Sequence, residues 1–138
     1  MTISFDGKVC VVTGAGNGLG RCHALALAER GAKVVVNDLG GARDGTGASS
    51  EAADSVVDEI IKNGGEAFSH GANVTSYEEV VDMINQTIKR WGRIDVLINN
   101  AGILRDKSFS KMELSDFKLV LDVHLMGSVN CTKAVWDI

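Results

Sequence analysis

Two spacings of apolar residues alternate along the chain. Short β-branched runs at residues 8–13 (KVCVVT) and 33–37 (KVVVN) have the length and composition of strands buried on both faces. Between them, over residues 19–30, Leu19, Cys22, Ala26 and Leu27 fall on one helical stripe. The pattern then repeats. Residues 50–63 predict a second helix with Ala53, Val56, Val57, Ile60 and Ile61 on one face, and residues 66–69 (EAFS) a third strand. Val80, Ile84, Ile88 and Trp91 set the register of a third helix, and Ser76 with Glu79 has capping-box spacing at its start. Residues 94–98 read as a fourth strand. Glycine follows each of these helices, at Gly31, at Gly64 with Gly65, and at Gly92, where a left-handed cap costs no side-chain clash.

Buried strands alternating with helices of this length predict parallel strands joined by right-handed crossovers. The expected fold is α/β, a doubly wound parallel sheet of Rossmann type, with the partial strand order 3-2-1-4. After Gly102 a polar loop precedes what reads as one long helix from about Ser115, with Phe117, Val120, Leu121, His124 and Leu125 sharing a face. Its apolar end, at Trp136 and Ile138, has neither a glycine cap nor a following strand. The expectation is therefore one domain over residues 1–138, cut before its sheet is complete.

Composition narrows the classes. Of 138 residues, 45% are hydrophobic and 23% charged, which suits a globular domain with a real core. A formal charge of -4 without a basic cluster argues against nucleic acid as a partner. No run approaches the roughly 18 apolar residues that cross a bilayer, and the start MTISFDGK has no signal-peptide pattern, so a soluble, non-secreted protein with no membrane association is expected. Cys10, Cys22 and Cys131 are widely spaced within apolar segments and read as buried free thiols, with no metal site.

The chemistry begins at TGAGNGLG, residues 13–20, which follows the first strand and opens the first helix. No frame of it fits G-x-G-x-x-G; Thr13, Gly14, Gly18 and Gly20 fit T-G-x-x-x-G-x-G. First-turn amides of a helix lack internal partners and carry the positive end of its dipole, so Gly14, Asn17, Gly18, Leu19 and Gly20 are candidates to hold a pyrophosphate. Gly14 permits the tight turn, and Gly18 and Gly20 allow close backbone approach. A packing turn is the competing reading. Asp38 weighs against it, because an acidic group at the end of the second strand can accept hydrogen bonds from adenosine ribose hydroxyls and repel a 2′-phosphate. With no basic residue at position 17 or directly after Asp38, NAD is expected over NADP, although Arg43 lies in the following loop.

TGAGNGLG, Asp38 and the NNAG of Asn99, Asn100, Ala101 and Gly102 after the fourth strand together resemble the short-chain dehydrogenase/reductase family over essentially the whole chain. The resemblance implies that NNAG supports the central sheet and brings backbone close to the cofactor. It also implies that Asn73 and Val74, at the end of the third strand, contact the adenine, with Asn73 standing where the family usually has aspartate. His124 stands where the wider family has an asparagine that holds a proton-relay water. Either a relay role or simple packing on the inner helix face is open to it. The glycine-rich insertion at residues 40–47 and the run GRIDVLINNAGILRDKSF resemble more narrowly the (3R)-hydroxyacyl-CoA dehydrogenase branch of that family.

That branch implies NAD-dependent oxidation of a small-molecule substrate, an acyl-CoA, in a homo-oligomer that is cytoplasmic in bacteria and peroxisomal in eukaryotes. Family chemistry also needs a serine and a Tyr-x-x-x-Lys pair. The single tyrosine here, Tyr77, is followed four residues later by Val81. The chain is therefore expected to supply the cofactor-binding half of an oxidoreductase and to be inactive alone. A reductase or a steroid or alcohol dehydrogenase of the same family, and a non-catalytic dinucleotide-binding module, are the competing functions. A methyltransferase would leave NNAG unexplained.

Overall fold

In a computed structural model, which describes residues 2–138, the chain forms a four-stranded parallel sheet with helices on both faces. The elements run β1 (Val9–Val12), α1 (Gly18–Glu29), β2 (Lys33–Asn37), α2 (Glu51–Lys62), β3 (Glu66–His70), α3 (Tyr77–Trp91) and β4 (Val96–Ile98). They continue through a short 3-10 turn to α4 (Leu114–Leu121), a π turn (Asp122–Met126) and α5 (Gly127–Val135). The sheet order is β3-β2-β1-β4, as the alternation of elements predicts.

Successive residues of a strand point to opposite faces, and that divides the core in two. Cys10, Val12, Val34 and Val36 pack against Ala24 and Leu27 of α1 and Ala53, Val56 and Ile60 of α2. Val11 and Val35 face the other way, onto Val80, Met83 and Ile84 of α3 and Cys131 of α5. Both faces of β1 and β2 are covered, which is why their sequences are continuous valine runs rather than alternating ones. Ser76 accepts the Glu79 N–H at the start of α3, and Gly92 closes that helix at φ 76°. No helix among the described residues is long and apolar enough to cross a membrane.

Three sequence expectations shift. The inner stripe of α1 is Gly20, Ala24 and Leu27, whereas Leu19 is 72% exposed and Cys22 is also exposed. Small residues line this face because α1 lies close to the turn before it. In α2, Ile61 sits at the edge of the stripe and is exposed. The long last helix is interrupted: one wider π turn rotates α5 about the helix axis relative to α4. Val123, Gly127, Cys131, Ala134 and Val135 therefore pack inward, while Phe117, Leu121 and Leu125 of the expected stripe are exposed.

The fourth strand also starts later than its apolar run. Asp95 N–H donates to the Val9 carbonyl at 2.8 Å, and the Asp95 carboxylate accepts the Val9 N–H at 2.9 Å, so a side chain replaces a rung of the ladder there. Arg93 grips the same carboxylate with Nε and Nη2 at 2.9 and 2.6 Å. The Arg93 bonds first, then the Val9 amide, hold the Asp95 carboxyl down at about 2. A carboxylate depressed in the folded state stabilises above its unfolded value, near 3.9, and that contribution is lost as pH falls toward 2. Asp95→Asn should accordingly lower the urea midpoint at pH 6, and the gap to the parent protein should close as pH drops from 4 to 2. An equal gap at both ends of this range would remove Asp95 from the acid response.

Burial pushes the Cys10 thiol up to about 11, with the nearby Asp95 charge adding to it, and burial alone does the same for Cys131. Only thiolates react readily. At pH 8 an alkylating reagent should modify Cys22 in the native protein, with Cys10 and Cys131 following only on unfolding, as read by mass spectrometry.

Candidate functional site

The ends of β1 and β4 are sewn together by two side chains. Thr13, 1% exposed, accepts the N–H groups of Asn100 and Ala101 on its Oγ1, each at 3.0 Å. Asn100 answers through Nδ2, which donates to the Thr13 and Gly14 carbonyls, each at 3.0 Å. The two motifs, 87 residues apart, thus satisfy each other's backbone groups. Gly14 has φ 62°, and a Cβ there would sit 2.8 Å from the Ala101 Cα. A Cβ on Gly20 would collide with the Gly14 carbonyl and the Asn100 amide. Both glycines are needed for the close approach of turn, helix and NNAG.

From this seam the turn runs out over the carboxyl ends of the strands. Ala15 N–H donates to the Asn37 carbonyl at 2.8 Å, and Gly16 N–H to Asp38 Oδ2 at 2.8 Å. The other Asp38 oxygen takes the Gly40 N–H at 2.7 Å. Asp38 is therefore held by both oxygens, one on each side. Asn17 stands at the N-cap of α1 without a side-chain capping bond, and the first turn of α1 has no acidic residue. Its amides and the positive end of the helix dipole stay uncompensated by the chain. Gly18 has φ 55° and open space where a Cβ would be.

Beyond β2, buried Asn37 donates from Nδ2 to the His70 and Ala72 carbonyls, each at 3.0 Å, and so fixes the chain leaving β3. Asn73 comes next. Its Oδ1 accepts Thr75 N–H at 3.0 Å and Thr75 Oγ1 at 2.8 Å, which closes a local turn and leaves its Nδ2 without a partner among the described residues. Val74 is buried against Gly127, and its carbonyl accepts from Asn130 Nδ2 at 2.9 Å.

These segments surround one cleft of about 360 Å³, within the roughly 300–1,000 Å³ range of small-molecule and cofactor sites. Of the residues expected from sequence, Gly14, Asn17, Gly18, Asp38, Asn73, Val74, Asn100, Ala101 and Gly102 line it. Leu19, Gly20 and Asn99 do not: Leu19 faces solvent, Gly20 packs beneath the turn, and Asn99 Nδ2 donates to Thr132 Oγ1 at 3.1 Å. His124 is also outside the lining. Its ring lies against Gly102, where a Cβ would come 2.7 Å from Cε1, and its Nε2 is 3.0 Å from both the N and the O of Ile103. It braces the turn after NNAG from the π turn. Arg43, noted from sequence in the loop after Asp38, also lines the cleft; sequence reasoning missed, among others, Ile103, Leu119 and Val123 on the far wall and Ala42 and Gly45 on the near one. The insertion's glycines were the one visible signal for the last group.

Residues 8–138 match the family described as short chain dehydrogenase. The chain is 58% identical over 137 residues to peroxisomal multifunctional enzyme type 2 of Drosophila melanogaster, covering 97% of this chain and 22% of that protein. A short chain dehydrogenase from Mycobacterium avium superposes with a TM-score of 0.85 at 45% identity, over 97% of this chain and 47% of the other. A 7 alpha-hydroxysteroid dehydrogenase, solved in complex with NADH and 7-oxo glycochenodeoxycholic acid, gives 0.84 at 34% identity, over 96% and 48%. The chain thus spans less than half the length of each of these relatives.

Asn100→Ala strands two carbonyls, and Thr13→Val strands the Ala101 amide and leaves the Asn100 N–H only its 3.1 Å bond to the Ile98 carbonyl, so each should cost about 1–3 kcal/mol of unfolding free energy. Because the partners are shared, the double variant should cost less than the sum. A strictly additive double-mutant cycle in urea would show that the two side chains act separately.

Proposed function

This chain belongs to the short-chain dehydrogenase family, and on that premise we propose that its cleft holds a nicotinamide dinucleotide, NAD rather than NADP. The observation that carries the reading is Asp38, the one anionic side chain among the described residues of the cleft wall, held by Gly16 N–H and Gly40 N–H. Each of its oxygens accepts one backbone bond and keeps a lone pair for a ribose hydroxyl. Because both oxygens are tied, the carboxylate cannot swing aside for a 2′-phosphate. Arg43, the one cation among the described residues of the wall, is exposed on a loop.

The donor set fits the group. The uncapped first turn of α1, with Asn17 and Gly18 in the lining, offers amides to a pyrophosphate. Gly18 leaves room for the phosphates, and Ala72, Val74 and the Asn73 amide form a mixed apolar and polar end suited to an adenine. Since Asn73 Oδ1 already accepts two bonds, Asn73 meets the ring through its Nδ2 or gives up a bond of its local turn. Asn100, Ala101 and Gly102 bring backbone close to the cofactor, Asn99 supports them from outside the cleft through Thr132, and Leu19 and Gly20 shape the turn. The bound nicotinamide supplies hydride transfer, and the chain's residues bind, orient and partly enclose it.

The substrate we propose is a (3R)-hydroxyacyl-CoA, oxidised to the 3-ketoacyl-CoA in fatty-acid β-oxidation, in a homo-oligomeric full-length protein. The likeness to peroxisomal multifunctional enzyme type 2 supports this and a peroxisomal setting if the source is eukaryotic; a bacterial source would make it cytoplasmic. A steroid or alcohol dehydrogenase is the second reading, favoured by the hydroxysteroid dehydrogenase likeness. Tyr77 opens α3 and is followed at the i+4 position by Val81, so these residues carry no Tyr-x-x-x-Lys pair. We assign the serine, tyrosine and lysine of the reaction to sequence beyond Ile138, and His124 to holding the segment those groups would face.

Asp38→Ala should weaken NAD binding by about 1.5–3 kcal/mol, the worth of a charge-assisted hydrogen bond, and narrow the preference over NADP. Asp38→Asn, which retains an acceptor for one amide, should narrow the preference with a smaller loss of NAD affinity. Titration calorimetry with both dinucleotides checks this. Unchanged NAD affinity in Asp38→Ala would remove the residue from the site.

A further inference from the structure

The glycine-rich insertion folds back as a closed strap. At its neck, Ser49 N–H donates to the Leu39 carbonyl at 3.0 Å, beside the Gly40 bond to Asp38. At its tip, Gly45 N–H donates to the Ala42 carbonyl at 2.9 Å, Ala42 N–H to the Thr46 carbonyl at 2.8 Å, and Asp44 Oδ1 accepts from Thr46 N–H and Oγ1. The tip lands on the segment after NNAG. Leu104 N–H donates to the Arg43 carbonyl at 2.7 Å, and Gly45 lies so near Ile103 that a Cβ would meet its side chain at 3.2 Å.

One side chain locks this landing. Arg105 donates from Nε to the Asp44 carbonyl at 2.8 Å and from Nη1 to Asp116 Oδ1 of α4 at 2.6 Å. Asp116 is mostly buried, and Lys107 Nζ approaches its other oxygen at 3.9 Å. A planar guanidinium can hold both partners at fixed angles, and a single ammonium cannot. The result is a continuous tie from Asp38, just past the end of β2, through the strap, to α4 on the opposite wall, with Arg43, Gly45 and Ile103 lining the cleft along the way.

We propose that Arg105 is a positioning residue for the dinucleotide: by latching the strap tip to α4 it closes the cleft wall and holds Asp38 from its Gly40 side, so that release of the ligand requires the latch to open. The inference rests on the dinucleotide reading of the cleft. Local opening of such a tie sets both amide exchange and ligand escape. Two measurements on the parent protein, Arg105→Ala and Arg105→Lys separate the possibilities: hydrogen exchange over residues 40–47 without ligand, and stopped-flow dissociation of NAD. Loss of a charge-assisted bond predicts about tenfold faster exchange and about tenfold faster NAD release in Arg105→Ala, with the association rate changed far less. Arg105→Lys should not restore either rate, and Asp116→Asn should shift both in the same direction. Unchanged exchange in all three variants overturns the latch whatever NAD does. Faster exchange with unchanged NAD release overturns the positioning role. If no form binds NAD while exchange still accelerates, the dinucleotide role falls together with the cofactor reading, and the latch itself stands.

Discussion

A buried hydroxyl holds this site together. Thr13 lies at the end of a strand with no solvent to satisfy the amides that converge on it, and Asn100 returns bonds to the carbonyls beside it. Buried polar groups without partners are costly, so the end of β1 and the end of β4 must sit in register or neither is satisfied. No buried side-chain polar atom among the described residues lacks a partner. Once that seam is closed, Gly14 must take its left-handed turn and Gly20 must press against it, which draws α1 down on the sheet and aims its first amides outward.

The cleft is a product of the seam and of ties made at successive distances from it. Asp38 binds the glycine-rich turn on one side and the strap on the other. Asn37 fixes the departure from β3, and Asn130 and Gly127 of α5 receive Val74. The π turn links this to the far wall: it lets His124 reach the backbone of Ile103 while Gly127 and Cys131, one turn later, stay in the core. Side chains that read as ligand contacts thus also carry the backbone that shapes the cleft. Asn73 shows the cost of such double duty, since its oxygen is committed to Thr75.

The fold was legible because it depends on periodicities that a single chain displays. Valine runs buried on two faces, stripes in α2 and α3 and a glycine after each helix specify alternating parallel strands, and the observed order β3-β2-β1-β4 agrees. Where sequence and structure part, closeness rather than hydrophobicity decided. Leu19 and Cys22 look like core residues, but α1 approaches the sheet through Gly20 and Ala24 because a larger side chain would not fit. Phe117, Leu121 and Leu125 form a convincing stripe until the π turn rotates the helix beneath them. A π turn has no composition signature; here it precedes Gly127, which packs against Val74.

By itself the sequence determined the α/β class, the strand order and the family, and it singled out the glycine turn, Asp38 and NNAG, segments that the fold brings to one cleft, because each rests on local spacing in a known chain context. Only the tertiary structure decided that Asn100 serves Thr13 and Gly14, that the insertion is a strap landing on residues 103–105, and that Arg105 bridges it to Asp116. These are contacts between groups from 11 to 87 residues apart. They arise when the sheet brings strand ends together, and a polar side chain's partner across such a gap leaves no periodic trace along the chain.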